Sequence, residues 1–328
     1  ANALPAISSN DWSTNIEGLD RANKRFVFLG GTYTVASKLT FSGSAPSATQ
    51  PNQWVGADSS GNILRPKFDE TGIRLDLTDY PLFVCTANTA MVDTEENTYY
   101  KCLSFENTNT GYSQTDVVET STGDVDSQIW VGCNFKVTFA NNTSAIVRTI
   151  SNAGFHSCVF EFQYTGLTFY DSVIKVTNNA KLDNCRILGP GGPNDTLVEG
   201  GGDISGIHAT SVTGKFRNCV ISRVLGNGFK LDSSSNKVDL DIADCTICEI
   251  GADGINTNNA AISVTGKGSM EGNIIFDCTS HGIETNADDS RQAGAQILAM
   301  GSNDAGNFSN MDSYEDMIDV IAITTGDF

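Results

Sequence analysis

A chain of 328 residues with 39 acidic and 20 basic side chains carries a net charge of −19, which argues against nucleic acid as a partner because phosphate neutralisation needs clustered Lys and Arg. Hydrophobic residues make up 39% of it, enough for a sizeable core, yet there is no run of about 18 apolar residues to enter a membrane. The opening Ala1-Asn2-Ala3-Leu4-Pro5 lacks the basic and apolar pattern of a signal peptide, so a product of the cytoplasm is expected.

In chain order, Ser13 to Asn23 fits a short amphipathic helix, expected to cap the strands after it. Arg25 to Val35 (RFVFLGGTYTV) reads as two strands about a Gly30-Gly31 turn. Then come Leu39-Thr40-Phe41, a polar loop, a turn at Trp54-Val55-Gly56, and a strand at Ile63 to Phe68 (ILRPKF).

The second half repeats one phrase. Cys219 to Gly228-Phe229, Cys245 to Gly254-Ile255 and Asn273 to Gly282-Ile283 each place a Gly nine residues after the Cys or Asn, and the Gly-to-Gly distances from Gly206 onward are 22, 26 and 28. Weaker copies run upstream through Ile129 to Phe135, Phe155 to Phe160 and Leu182 to Ile187. Each unit holds brief apolar runs that alternate with polar residues, the period of strands with one face in and one face out. Coils of about 20 to 30 residues that pair equivalent strands in parallel make a β-solenoid. The coils are expected over residues 76–290, preceded by a cap and first strands at 1–75. Leu188 to Ile204, rich in Gly and Pro, reads as a large loop thrown out of one coil, either a binding loop or a tolerated insertion. Past residue 290 the phrase is lost, and 291–328 is expected to cap the last coil and contribute an oligomer contact.

Nine cysteines are an odd count for a disulfide scaffold. Cys185, Cys219 and Cys245 fall in one inward column that Asn273 continues, with Cys133 and Cys158 extending it upstream, so they read as stacked, buried free thiols. Free thiols point to folding in a reducing compartment. Cys245-Thr-Ile-Cys248 is a CxxC with no βαβ context, and three His are too few for a zinc site, so no metal site is assigned.

If Ile174, Ile207, Phe229, Ile255 and Ile283 face inward, then Lys175, His208, Lys230, Asn256 and Glu284 form an outward column. Its neighbours are Thr177, Thr210, Asp232, Asn258 and Asn286 on one side and Ser172, Ser205, Asn227, Asp253 and His281 on the other. Sugar hydroxyls need such an array of donors and acceptors, so Lys175, His208, Lys230, Asn256 and His281 are the candidate carbohydrate-binding residues. Asp253 and Glu284, on adjacent coils, are candidates for a glycosidase carboxylate pair, with Asp232 beside them. A β-elimination would instead need a base such as Lys230 or His208 and a cation, for which Asp232 and Asp253 are candidate calcium ligands; no other cofactor is expected.

The order of capping helix, GGTYTV strand pair, W-x-G turn and ILRP strand resembles the start of right-handed parallel β-helices of the pectate-lyase superfamily, most of all those of bacteriophage tailspikes and related surface depolymerases. The resemblance spans roughly residues 12–290. It implies an all-β, right-handed, single-stranded parallel β-helix with a short N-terminal capping helix. It also implies a homotrimeric virion surface spike, made in the host cytoplasm, that contacts other virion proteins and recognises bacterial surface polysaccharide, with cleavage left open. The chain departs from the superfamily's enzymes: the Arg-centred calcium phrase of pectate lyases is missing. The N-T-D, D-D, G-H-G and R-I-K series of polygalacturonases survives only as fragments at Asp253-Gly254, His281-Gly282 and Asp288-Asp289, in a different order. Those catalytic roles are not transferred. Two other functions compete: a purely structural virion component, such as a capsid-decorating or fibre-like protein, and a free polysaccharide lyase or hydrolase.

Overall fold

The computed structural model describes residues 23–35, 47, 49–85, 92–93, 97–108, 118–119, 128–139, 147–149, 153–164, 172–176, 180–189, 205–209, 213–233, 239–251, 255–260, 269–278, 283–284, 297–300, 308–309 and 321–322. The expected capping helix lies outside the described residues apart from Asn23, and so does the 188–204 loop beyond Gly189. Regular structure among the described residues is entirely β, and the chain falls into two compact units, Ala1–Thr168 and Phe169–Phe328.

In the N-terminal unit the first sheet stacks Arg25–Leu29, Asn52–Ala57, Thr98–Lys101, Gln128–Val131 and Ala153–His156. The second stacks Gly31–Val35, Pro81–Cys85, Ser104–Asn107, Asn134–Phe139 and Val159–Tyr164, and the third Val92–Asp93, Val118–Glu119 and Val147–Thr149. All the pairings within these sheets are parallel, the topology of a β-solenoid. Among the described residues parallel stacking begins at Arg25, and Gly30 turns the chain from the first sheet into the second rather than closing a hairpin.

Two sequence expectations fail in this unit. Trp54-Val55-Gly56 is not a turn but the centre of strand Asn52–Ala57, where Gly56 is required because a Cβ would strike the Cys102 carbonyl. Ile63 to Phe68 is not a strand of any sheet; it belongs to an excursion over residues 58–80 held by Asx-type hydrogen bonds at Asp58, Asp69 and Asp76 and by two isolated bridges. Pro66 fixes the backbone there and packs against Gly132.

The core of this unit is two aromatic columns. Parallel register aligns Phe26, Trp54, Tyr100, Trp130 and Phe155 on the first sheet, and Tyr33, Phe83, Phe105, Phe135 and Phe160 on the second. Tyr100 and Trp130 stack at 3.7 Å, and Phe135 and Phe160 at 5.0 Å. Each such pair adds about 0.5–1.5 kcal/mol beyond the area it buries.

In the C-terminal unit the first sheet is Ala180–Asp183, Thr213–Arg217, Asp239–Ala243 and Ser269–Glu271. The second is Arg186–Leu188, Val220–Val224, Thr246–Ile250, Asn273–Cys278, Ile297–Met300 and Ile321–Ala322. The third is Ser172–Val176, Ser205–Ala209, Phe229–Ser233, Ile255–Ala260, Ile283–Glu284 and Phe308–Ser309. Parallel pairing thus runs on past residue 290, where the sequence phrase ends, through the short apolar run Ile297–Met300 and the strands Phe308–Ser309 and Ile321–Ala322. The core here is richer in aliphatic residues, with Ile187, Ile221, Ile247 and Ile275 buried in one column of the second sheet and Phe216 packed edge-on to Phe229.

The corner from first to second sheet has one design in both units: a residue in the left-handed region followed by an inward one. Gly132 and Ser157 precede Cys133 and Cys158, while Asn184, Asn218, Asp244 and Gly272 precede Cys185, Cys219, Cys245 and Asn273. Left-handed backbone suits Gly and short polar side chains, which explains the Asn and Asp at these sites. The expected Cys columns are present within each unit, and their thiols donate to carbonyls at strand ends, as Cys219 does to Leu182 and Arg217. Cys102, by contrast, takes the left-handed position itself, and Leu103 fills the column.

Candidate functional site

The third sheet of the C-terminal unit places the column expected to face outward in register. Lys175 pairs with His208, His208 with Lys230, Lys230 with Asn256, and Asn256 with Glu284. The preceding residues Ile174, Ile207, Phe229, Ile255 and Ile283 pair in the same way, and the first three are fully buried. Successive strands lie about 4.8 Å apart, so the column from Lys175 to Glu284 spans roughly 19 Å.

Two details differ from the sequence expectation. A register shift after Lys230 sets Asp232 opposite Asn259 rather than Asn258, because strand Ile255–Ala260 carries one extra residue at this point. The face is also not uniformly solvated. His208 is 5% exposed, and Ser172, Ser205 and Asn227 of the neighbouring column are likewise buried. All five residues of Ser205–Ala209 are buried, on both faces of the strand, whereas Lys175 and Lys230 on its two neighbours are half-buried. Alternation reports which way a side chain points, not whether something lies over it.

Of the candidate catalytic residues, Asp253 lies outside the described residues, as does His281 among the binding candidates. Glu284 and Asp232 are placed by their strands, one following Asn256 along the column and the other two residues beyond Lys230. Among the described residues no three His, Cys, Asp or Glu side chains gather as a metal site.

The buried thiols are chemically quiet. Hydrogen bonding between neighbouring thiols, followed by burial, pushes Cys245 well above the usual thiol range. Cys219 is raised as well, led by its hydrogen bond with Cys185. Burial pushes Cys102 up to about 12. A nucleophilic thiol needs a depressed pKa, so these serve packing.

Sequence reasoning missed two surface arrangements. On the second sheet of the N-terminal unit, Glu106, Lys136 and Glu161 form an outward column that Arg74 of the 58–80 excursion closes with a bidentate pair to Glu161. On its first sheet, Tyr99 and Ile129 flank an open depression. The signal for the second was Ile129 itself, an apolar residue at an outward position between inward Gln128 and Trp130.

No family model matches the chain, and neither does any curated protein or solved structure.

Proposed function

We propose that the chain is a right-handed parallel β-helix acting as a bacteriophage surface spike, and that the third sheet of its C-terminal unit recognises a bacterial surface polysaccharide. The observation that carries this reading is the in-register column of Lys175, His208, Lys230, Asn256 and Glu284. A polymer lying along the coil axis would meet a new polar side chain about every 4.8 Å. Two cationic side chains, Lys175 and Lys230, in a chain of net charge −19, favour a polymer that carries carboxylates. Lys175 and Lys230, on the strands that flank the buried His208, supply the contacts.

The buried thiol columns support synthesis in a reducing compartment, as expected for a virion protein made in a host cytoplasm. A homotrimer attached through other virion proteins is the assembly this reading implies. Cleavage is a separate activity within it, assigned to Asp253 and Glu284 with Asp232 beside them, and calcium bound by Asp232 and Asp253 would serve a lyase.

The test is incubation of the purified chain with capsular and lipopolysaccharide preparations from candidate host bacteria, with binding, product size and ultraviolet absorbance followed together. Binding supports the reading. Shortened chains assign a hydrolase, and new unsaturated ends assign a lyase. A folded protein that binds none of the glycans overturns the reading in favour of a structural virion component.

A further inference from the structure

We infer that the first sheet of the N-terminal unit carries a binding position for a neutral pyranose, formed by Tyr99 and Ile129 with the amides of Gln53 and Asn97. Parallel register sets Arg25, Gln53, Tyr99, Ile129 and Gly154 in one outward column. An open depression of about 350 Å³ lies on this face, with Pro51, Gln53, Asn97, Tyr99 and Ile129 among the residues that line it. That volume falls within the range of small-ligand sites, about 300–1,000 Å³.

Chemistry narrows the occupant. No charged residue lines the depression, although the chain has 39 acidic and 20 basic side chains. A phosphate or a uronate would find no cationic side chain in its lining, and a metal cation no carboxylate. Ile129 is 39% exposed, a large apolar side chain beside the half-buried ring of Tyr99, and Gly154 on the next strand adds no side chain to cover it. These two make an apolar platform. Around it the polar groups are amides: Arg25 Nε donates to Gln53 Oε1 at 2.8 Å, which leaves the Gln53 NH₂ as the donor. Asn97 adds a second amide from a corner held in the left-handed region. A pyranose combines the matching features, a C–H face for the Tyr99 and Ile129 platform and hydroxyls for the amides. The backbone of this sheet is already paired in parallel on both sides of Thr98–Lys101, so an added peptide strand has no edge to extend.

This inference is independent of the C-terminal column, because it rests on another unit, another sheet and an uncharged lining. Saturation-transfer NMR on the whole chain tests it, with maltose, cellobiose and lactose as probes, galacturonic acid as the charged control and a proline-rich peptide as the other stacking ligand. At least one neutral disaccharide is expected to receive saturation on its ring protons, with Ile129→Asp and Tyr99→Ala each weakening binding about three- to tenfold and Tyr99→Phe retaining it. Ile129 is exposed, so its variant should keep the wild-type circular dichroism and Tm even if Tyr99→Ala does not. The inference is overturned if no neutral disaccharide binds the folded chain, if Ile129→Asp binds undiminished, or if only galacturonic acid or the peptide binds.

Discussion

Arg74 clasps Glu161 across 87 positions of sequence, its Nη2 and Nε donating to the two carboxylate oxygens at 3.0 and 3.2 Å. The pair ties the 58–80 excursion to strand Val159–Tyr164, and Gln163 Nε2 adds a third hydrogen bond to the same carboxylate at 2.9 Å. Glu161 is 7% exposed. Burial alone would raise its pKa, but the hydrogen bonds from Arg74 and Gln163 and the charges of Arg74 and Lys136 outweigh it and hold the carboxyl below the usual range.

A depressed folded-state pKa means that the pair's contribution is fully present above the unfolded glutamate value of about 4.3 and is lost as pH falls through the folded value. Glu161→Gln should therefore lower Tm at pH 7 and flatten the acid limb of the Tm–pH curve below about pH 4.3. Arg74→Ala leaves a buried charge behind and should cost more, about 1–3 kcal/mol, given that the Arg end is half exposed. Thermal melts of both variants between neutral and acid pH check this, and parallel curves for wild type and Glu161→Gln would contradict it.

The aromatic columns make a second prediction. Phe135 sits between Phe105 and Phe160 with its ring fully buried, so Phe135→Ala should destabilise the fold by about 3–5 kcal/mol. Phe135→Leu keeps much of the volume and should cost clearly less in the same urea titration.

Asn273 replaces a thiol at the head of the C-terminal Cys column. Its Oδ1 accepts from the Cys245 backbone N–H at 2.9 Å and its Nδ2 donates to the Ile242 carbonyl at 2.8 Å. Asn273→Ala removes both partners and should cost about 1–3 kcal/mol. Asn273→Cys restores a donor to a carbonyl, as Cys245 provides one coil earlier, and should recover part of that loss in chemical denaturation.

Thiol chemistry gives a fourth. Cys219 and Cys245 are buried with raised pKa values, whereas Cys248 is half-buried on the other side of the Cys-x-x-Cys phrase. Iodoacetamide labelling of the native protein, read by peptide mass spectrometry, should modify Cys248 well before Cys219 or Cys245. Equal rates under native conditions would refute the buried column.

The sequence made the solenoid legible because its coils repeat a short phrase, and the column from Ile174 to Ile283 comes directly from counting residues along that phrase. Counting failed where the chain departs from regular strand. The extra residue after Asn256 moves Asp232 from Asn258 to Asn259, and a single-residue bulge leaves no mark in composition. The 58–80 excursion misled for a different reason. Ile63 to Phe68 has strand-like residues, but Asx turns at Asp58 and Asp69 and the grip of Arg74 on Glu161 determine its path, and such long-range partners are invisible locally. Gly206 enters the sequence reading only as the start of the Gly spacing, and the structure gives its reason as space, since a Cβ would lie 2.6 Å from Ile221 Cγ2 and 2.7 Å from the Gly228 carbonyl. The burial of His208 was equally hidden, because alternation gives direction and nothing more.

Titration of an acidic capsular polysaccharide into wild type and into the Lys175→Glu, Lys230→Glu double variant tests glycan recognition by the C-terminal column most directly. Charge reversal at two half-buried positions that flank His208 should weaken binding by at least about tenfold, roughly 1.4 kcal/mol, with the circular dichroism unchanged. Undiminished affinity in the folded double variant would place recognition elsewhere on the protein and contradict the assignment.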